Sequence, residues 1–107
     1  MVAVYVDVDD TLLRSAGSKR IPMTSTVERV RELHTLGAEL YLWSRGGAAY
    51  ARDVARELGI EPCFRAFLPK PELLIDDEPV TSWRAVAVHP NECVGESAAE
   101  LLARRTS

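Results

Sequence analysis

The most strongly patterned stretch of the chain comes first. Val2, Ala3, Val4, Tyr5, Val6 and Val8 make a β-branched and aromatic run that is apolar at nearly every position. Such a run predicts a strand buried on both faces, the habit of a central strand in a parallel sheet. It then meets Asp7, Asp9 and Asp10. Unpaired carboxylates are too costly to serve as packing groups inside a sheet, so these three are expected at an open strand end.

The rest of the chain alternates in the same way. Residues 14–20 are polar and small and predict a loop, with a β-hairpin flap over the strand end as one form it can take. Ser25 and Glu28 have the spacing of a capping box, Val27, Val30, Leu33 and Leu36 form an apolar stripe, and Gly37 is a natural helix stop. A second strand over 38–43 runs into Ser44-Arg45-Gly46-Gly47, and a helix follows with Ala51, Val54, Ala55 and Leu58 on one face, ending at Gly59. A third strand is expected over 63–67. A fourth, over 72–75, follows Pro69-Lys70-Pro71 and ends in Asp76-Asp77. A fifth over 83–88 is closed by Pro90, and a terminal helix over 95–104 carries Ala98, Leu101 and Leu102. Two consecutive strand–helix units predict an α/β fold. The expectation is a single Rossmann-like domain over 1–107, a mostly parallel sheet of about five strands flanked by helices, with right-handed crossovers.

Composition narrows this picture. At 107 residues, 47% hydrophobic and 27% charged, the chain is ordinary globular material for one core, which excludes disordered, collagen-like and coiled-coil readings. A formal charge of −3 argues against non-specific nucleic-acid binding. No apolar run approaches the roughly 20 residues that cross a bilayer, and Met1 leads straight into the first strand, so no membrane contact and a cytoplasmic location are expected. Cys63 and Cys93 lack neighbours at zinc-ligand spacing and read as buried or half-buried free thiols. His34 and His89 are solitary and read as structural.

The chemistry gathers at strand ends. Asp7 and Asp9 share one side of a strand, so one can attack while the other moves a proton nearby. Ser44 ends the second strand, Lys70 precedes the fourth, and Asp76 and Asp77 end it. Parallel strands would bring these carboxyl ends together, where ligands of doubly wound sheets bind. The collection suits phosphoryl transfer, in which positioning and charge neutralisation do most of the work.

These segments resemble the haloacid dehalogenase superfamily. Asp7-Val8-Asp9-Asp10-Thr11 is similar to its first motif, Asp-x-Asp-x-Thr, with Asp10 where Gly is frequent. Leu40-Tyr41-Leu42-Trp43-Ser44 resembles the second motif, Lys70 the third, and Leu73-Leu74-Ile75-Asp76-Asp77 the fourth, in the expected order. The resemblance implies a magnesium-dependent phosphatase with a haloacid-dehalogenase-type fold. Asp7 would be the nucleophile that forms an aspartyl-phosphate, Asp9 the general acid and base, and Thr11 a brace for the loop. Ser44 and Lys70, with Arg45 and the backbone N–H groups of Arg45, Gly46 and Gly47, would bind phosphate. Mg2+ would be held by Asp7, the carbonyl of Asp9 and Asp77, with Asp76 orienting Lys70 or a water. Arg45 facing solvent and Gly46-Gly47 as a plain turn are the competing readings of those positions.

The intervals between motifs leave no room for a cap domain. An open site suits a phosphorylated substrate that brings its own bulk, a phosphoprotein or a nucleic-acid end, while the Leu73–Pro79 run is similar to that of deoxyribonucleotidases, which keeps small nucleotides in play; a homo-oligomer covering the site is the further expectation. A receiver-type signalling domain would need an Asp after the third strand and a Lys after the fifth, and the chain has neither. A catalytically silent relative that binds a phosphorylated ligand is the remaining alternative.

Overall fold

The computed structural model describes residues 1–105. The chain runs β1 (Ala3–Asp7), β2 (Leu13–Ala16), β3 (Lys19–Pro22), α1 (Thr24–Thr35), β4 (Glu39–Ser44), α2 (Ala48–Glu57), β5 (Phe64–Pro69) and α3 (Ala98–Ala103), with short 3-10 turns between β5 and α3. β1, β4 and β5 form a parallel sheet in that order, and β2 and β3 form a separate antiparallel hairpin. This is an α/β domain with a three-stranded parallel sheet flanked by helices, and no cap is evident among the described residues.

Period-two alternation decides what each strand buries. Val6, Leu40 and Leu42 turn inward with Val8 and Phe64, and meet Val27, Val30 and Leu33 of α1 and Ala51, Val54 and Ala55 of α2 in one continuous core. Right-handed crossovers in a monotonic strand order put both helices on the same face of the sheet. The opposite face carries Tyr5, Tyr41 and Trp43 only partly covered, with ring centroids 5.0 Å apart for Tyr5–Tyr41 and 4.9 Å for Tyr5–Trp43.

Several expectations need correction. β1 is an edge strand, with β4 on one side only, and Ala3 and Tyr5 are exposed rather than buried. Residues 72–75 and 83–88 are not strands, so the parallel sheet has three strands where about five were expected. Leu73 is 82% exposed and Ile75 94%. Their apolar pattern is that of a strand, but a strand forms only where an edge within reach accepts its hydrogen bonds. The Ser25 capping box is also absent. The hairpin delivers the chain early, Met23 N–H donating to the carbonyl of Leu12 at 2.8 Å, so the helix opens at Thr24 and Ser25 is already inside it. Leu36 falls beyond the helix and is exposed.

Other features match. The flap over 14–20 is the β2–β3 hairpin, turning at Gly17 with φ 63°. Gly37 and Gly59, both at positive φ, follow the ends of α1 and α2. Cys63 and Cys93 are free, the first half-buried and the second buried, and burial pushes both thiols above their usual range. His89 is structural: its Nδ1 accepts from Asn91 N–H at 3.1 Å and caps a short turn. Among the described residues no helix is long and apolar enough to cross a membrane.

Candidate active site

The sheet register assembles the site. Asp7 ends β1 opposite Trp43, and Ser44 ends β4 opposite Pro69, so Lys70 emerges at the same carboxyl edge. Its backbone N–H donates to the Ser44 carbonyl at 2.9 Å, which pins the strand ends together. Lys70 Nζ lies 3.9 Å from Asp7 Oδ1, each side chain about one third exposed. A pair this open contributes at most about 1 kcal/mol to stability, so it places a cation beside the carboxylate rather than holding the fold together.

The loop after β1 is wound tightly. The Val8 carbonyl accepts from the N–H groups of Thr11 at 3.2 Å, Leu12 at 2.8 Å and Leu13 at 3.3 Å. That curl swings Thr11 back so that its hydroxyl donates to Asp7 Oδ2 at 3.5 Å. It also forces Asp10 to φ 60°, the left-handed region that Gly enters freely and Asp tolerates better than most residues.

Asp9 is exposed, and the Tyr50 hydroxyl donates to its Oδ1 at 2.7 Å. Arg20, on β3 of the flap, donates to the same phenol oxygen at 3.1 Å and ion-pairs with Glu57 at 3.6 Å. Burial and the Asp9 carboxylate push the Tyr50 phenol above its usual pKa, keeping it a protonated donor. Gly46 leaves room for this arrangement. A Cβ there would stand 2.7 Å from Tyr50 Cδ2.

Ser44 is 1% exposed, and its Oγ accepts from Gly46 N–H at 3.0 Å, which leaves its own proton free to donate. The Gly47 amide turns back to the Ser44 carbonyl at 3.1 Å. Two of the three amides expected to face phosphate are therefore used within the turn, and Gly46-Gly47 serves as the strand-to-helix corner, with φ 98° at Gly47. Arg45 is exposed.

The structure thus brings Asp7, Asp9, Thr11, Ser44 and Lys70 to one edge of the sheet. It does not bring Asp76 and Asp77 there. Both are exposed, and Asp76 Oδ1 accepts from Glu78 N–H at 2.9 Å in a turn of its own. Among the described residues no three His, Cys, Asp or Glu side chains lie close enough to share a metal ion. Among the described residues, then, the carboxylates that the resemblance assigns to magnesium are not gathered at one point, and the segment that ends in the acidic pair is unpaired. Sequence reasoning missed Tyr50 and Arg20. Tyr50 had a usable signal: it sits in the first turn of the helix that follows Ser44, and that turn borders the strand ends.

No family model matches this chain, and no curated protein matches it. Its fold is similar to that of a structural-genomics target from Vibrio cholerae solved by crystallography. That likeness has a TM-score of 0.58, at 24% identity, and covers 96% of this chain and 95% of the other. A likeness at this level of identity concerns the fold.

Proposed function

We propose that this protein hydrolyses a phosphate monoester through an aspartyl-phosphate on Asp7. The observation that carries the reading is the pairing of Lys70 with Asp7, with Thr11 on the second carboxylate oxygen. A lone carboxylate repels an anionic ester, and a cation placed beside it offsets that repulsion at the point of attack.

In this reading an Asp7 carboxylate oxygen attacks phosphorus, the ester P–O bond breaks, and Asp9 gives its proton to the departing oxygen. Asp9 then takes a proton from water as that water attacks phosphorus, releasing phosphate and restoring the Asp7 carboxylate. Ser44 donates its free hydroxyl proton to a phosphoryl oxygen, and Lys70 balances the charge on the transferring group. Tyr50 orients the Asp9 carboxyl. Magnesium, the ion expected from the resemblance, would lower the same repulsion, with Asp7 and Asp9 the expected ligands that lie at this edge of the sheet.

A screen of nucleotides, sugar phosphates, phosphopeptides and nucleic-acid termini, with and without magnesium, tests this reading. Phosphate release from one class, lost on chelation, is the expected result. No release from any class contradicts it.

A further inference from the structure

We propose that residues 72–77 are an exchanged arm that pairs in parallel with the free edge of β1 in a second copy of this chain, bringing Asp76 and Asp77 beside that copy's Asp7. The role given to the acidic pair and the parallel register rest on the phosphatase reading; the free strand edge and the unpaired apolar run do not.

Both halves of the contact are present and unused. β1 pairs with β4 on one edge, and among the described residues no strand pairs with the other, so its outer N–H and C=O groups form a template for another strand. Leu73-Leu74-Ile75 is a strand-forming run left in solvent, with Ile75 94% exposed. The sheet face beside that edge, carrying Tyr5, Tyr41 and Trp43, lacks a helix layer and offers apolar surface for a second copy to sit on.

The chain's own arm cannot make this pairing. Asp7, Trp43 and Leu68 stand level in the register, so Pro69 lies one residue above Asp7. For Asp76 to stand beside Asp7 in a parallel strand, Glu72 must lie four residues below it. Pro69 and Glu72 would then be about 16 Å apart along the strands and about 14 Å apart across three strand spacings, or about 22 Å in all. Three backbone steps join them, and these span at most about 11 Å. A slip of two residues in register leaves about 17 Å, still out of reach. An antiparallel arm could start closer, but it would carry Asp76 and Asp77 to the wrong end of the sheet. A second copy has no such tether, and a twofold axis lets each chain give an arm and receive one.

Three measurements on the full chain test the exchange. Sedimentation should give twice the 11.8 kDa chain mass for the wild type and a monomer for Leu74→Pro with its far-ultraviolet dichroism retained. In the parallel register Leu74 stands level with Tyr5, so Tyr5→Cys/Leu74→Cys should oxidise to a covalent dimer that neither single variant forms. A wild-type monomer, or a cross-link confined within one chain, overturns the exchange. The third measurement addresses the acidic pair. Asp7→Asn and Asp76→Asn/Asp77→Asn, each inactive alone, should recover about one quarter of wild-type phosphate release when refolded together, since one site in each mixed dimer is intact. No recovery, with an active wild type, shows that the acids do not act across the dimer. A wild type that hydrolyses no ester overturns the phosphatase reading, while the mass and the cross-link still decide the exchange.

Discussion

The Tyr50 hydroxyl donates to Asp9 Oδ1 at 2.7 Å across 41 positions of sequence, joining the first turn of α2 to the loop after β1. The contact is exposed and contributes little to folding, so its consequence lies in where it holds the carboxyl. Tyr50→Phe should leave the unfolding midpoint nearly unchanged and lower kcat about tenfold, the effect of about 1.4 kcal/mol of lost orientation. In an Asp9→Asn background the same substitution should change little, because the two residues act as one unit. Steady-state kinetics of the four proteins in this cycle check it, and equal losses in both backgrounds would rule out a positioning role.

Gly46→Ala should act through the same ring. Its Cβ would meet Tyr50 Cδ2 at 2.7 Å, and the side chain can swing away where backbone could not. Stability should fall by about 1 kcal/mol, with a loss of turnover similar to that of Tyr50→Phe. Chemical denaturation alongside kinetics separates the two effects.

Asp10 is held at φ 60° by the curl around the Val8 carbonyl. Asp10→Val should destabilise the protein by about 1–2 kcal/mol, because a β-branched residue is strained in the left-handed region, whereas Asp10→Asn should be nearly neutral. Urea midpoints of the two variants give the comparison.

The C-terminal helix carries an acid-sensitive clasp. Arg104 bonds Glu92 at 2.8 Å and also pairs with Glu96, and its guanidinium beside Glu92 holds that carboxyl below its usual value of 4.5. Glu100 is lowered likewise by its bonds to Ser97 at the start of α3. A carboxylate depressed in the folded state stabilises it fully above the unfolded pKa and loses that contribution as the pH falls through the folded value. The protection factors of the α3 amides, corrected for the intrinsic pH dependence of exchange, should therefore fall below about pH 4.5 ahead of those of β4, and Arg104→Ala should remove the part that comes from Glu92. Hydrogen exchange resolved by residue reads both.

Much of this was legible in the sequence because the signals are local. The alternation in β4 and the stripe Val27, Val30 and Leu33 name the buried faces, and the pattern puts Asp7 and Ser44 at strand ends, whereas it puts Lys70 on the approach to a fourth strand and the residue instead follows β5. The misreadings concern long-range geometry. The run over 72–75 has strand chemistry, but Pro69-Lys70-Pro71 is too short to carry it in parallel to the far edge of β1, and hydrophobic pattern does not record path length. Calling β1 central failed for the same reason, since centrality depends on whether a fourth strand arrives. The link between Tyr50 and Arg20 arises from the flap folding over α2, which no spacing in the sequence encodes.

The central claim is that Asp7 is the atom donor that phosphorus meets first. Its most direct measurement is the initial rate of phosphate release by Asp7→Asn beside the wild type, on the best ester from the screen and with magnesium present. The account predicts a variant that folds as the wild type does, by far-ultraviolet dichroism, and releases no phosphate above background. Release by Asp7→Asn at a rate near that of the wild type would contradict it.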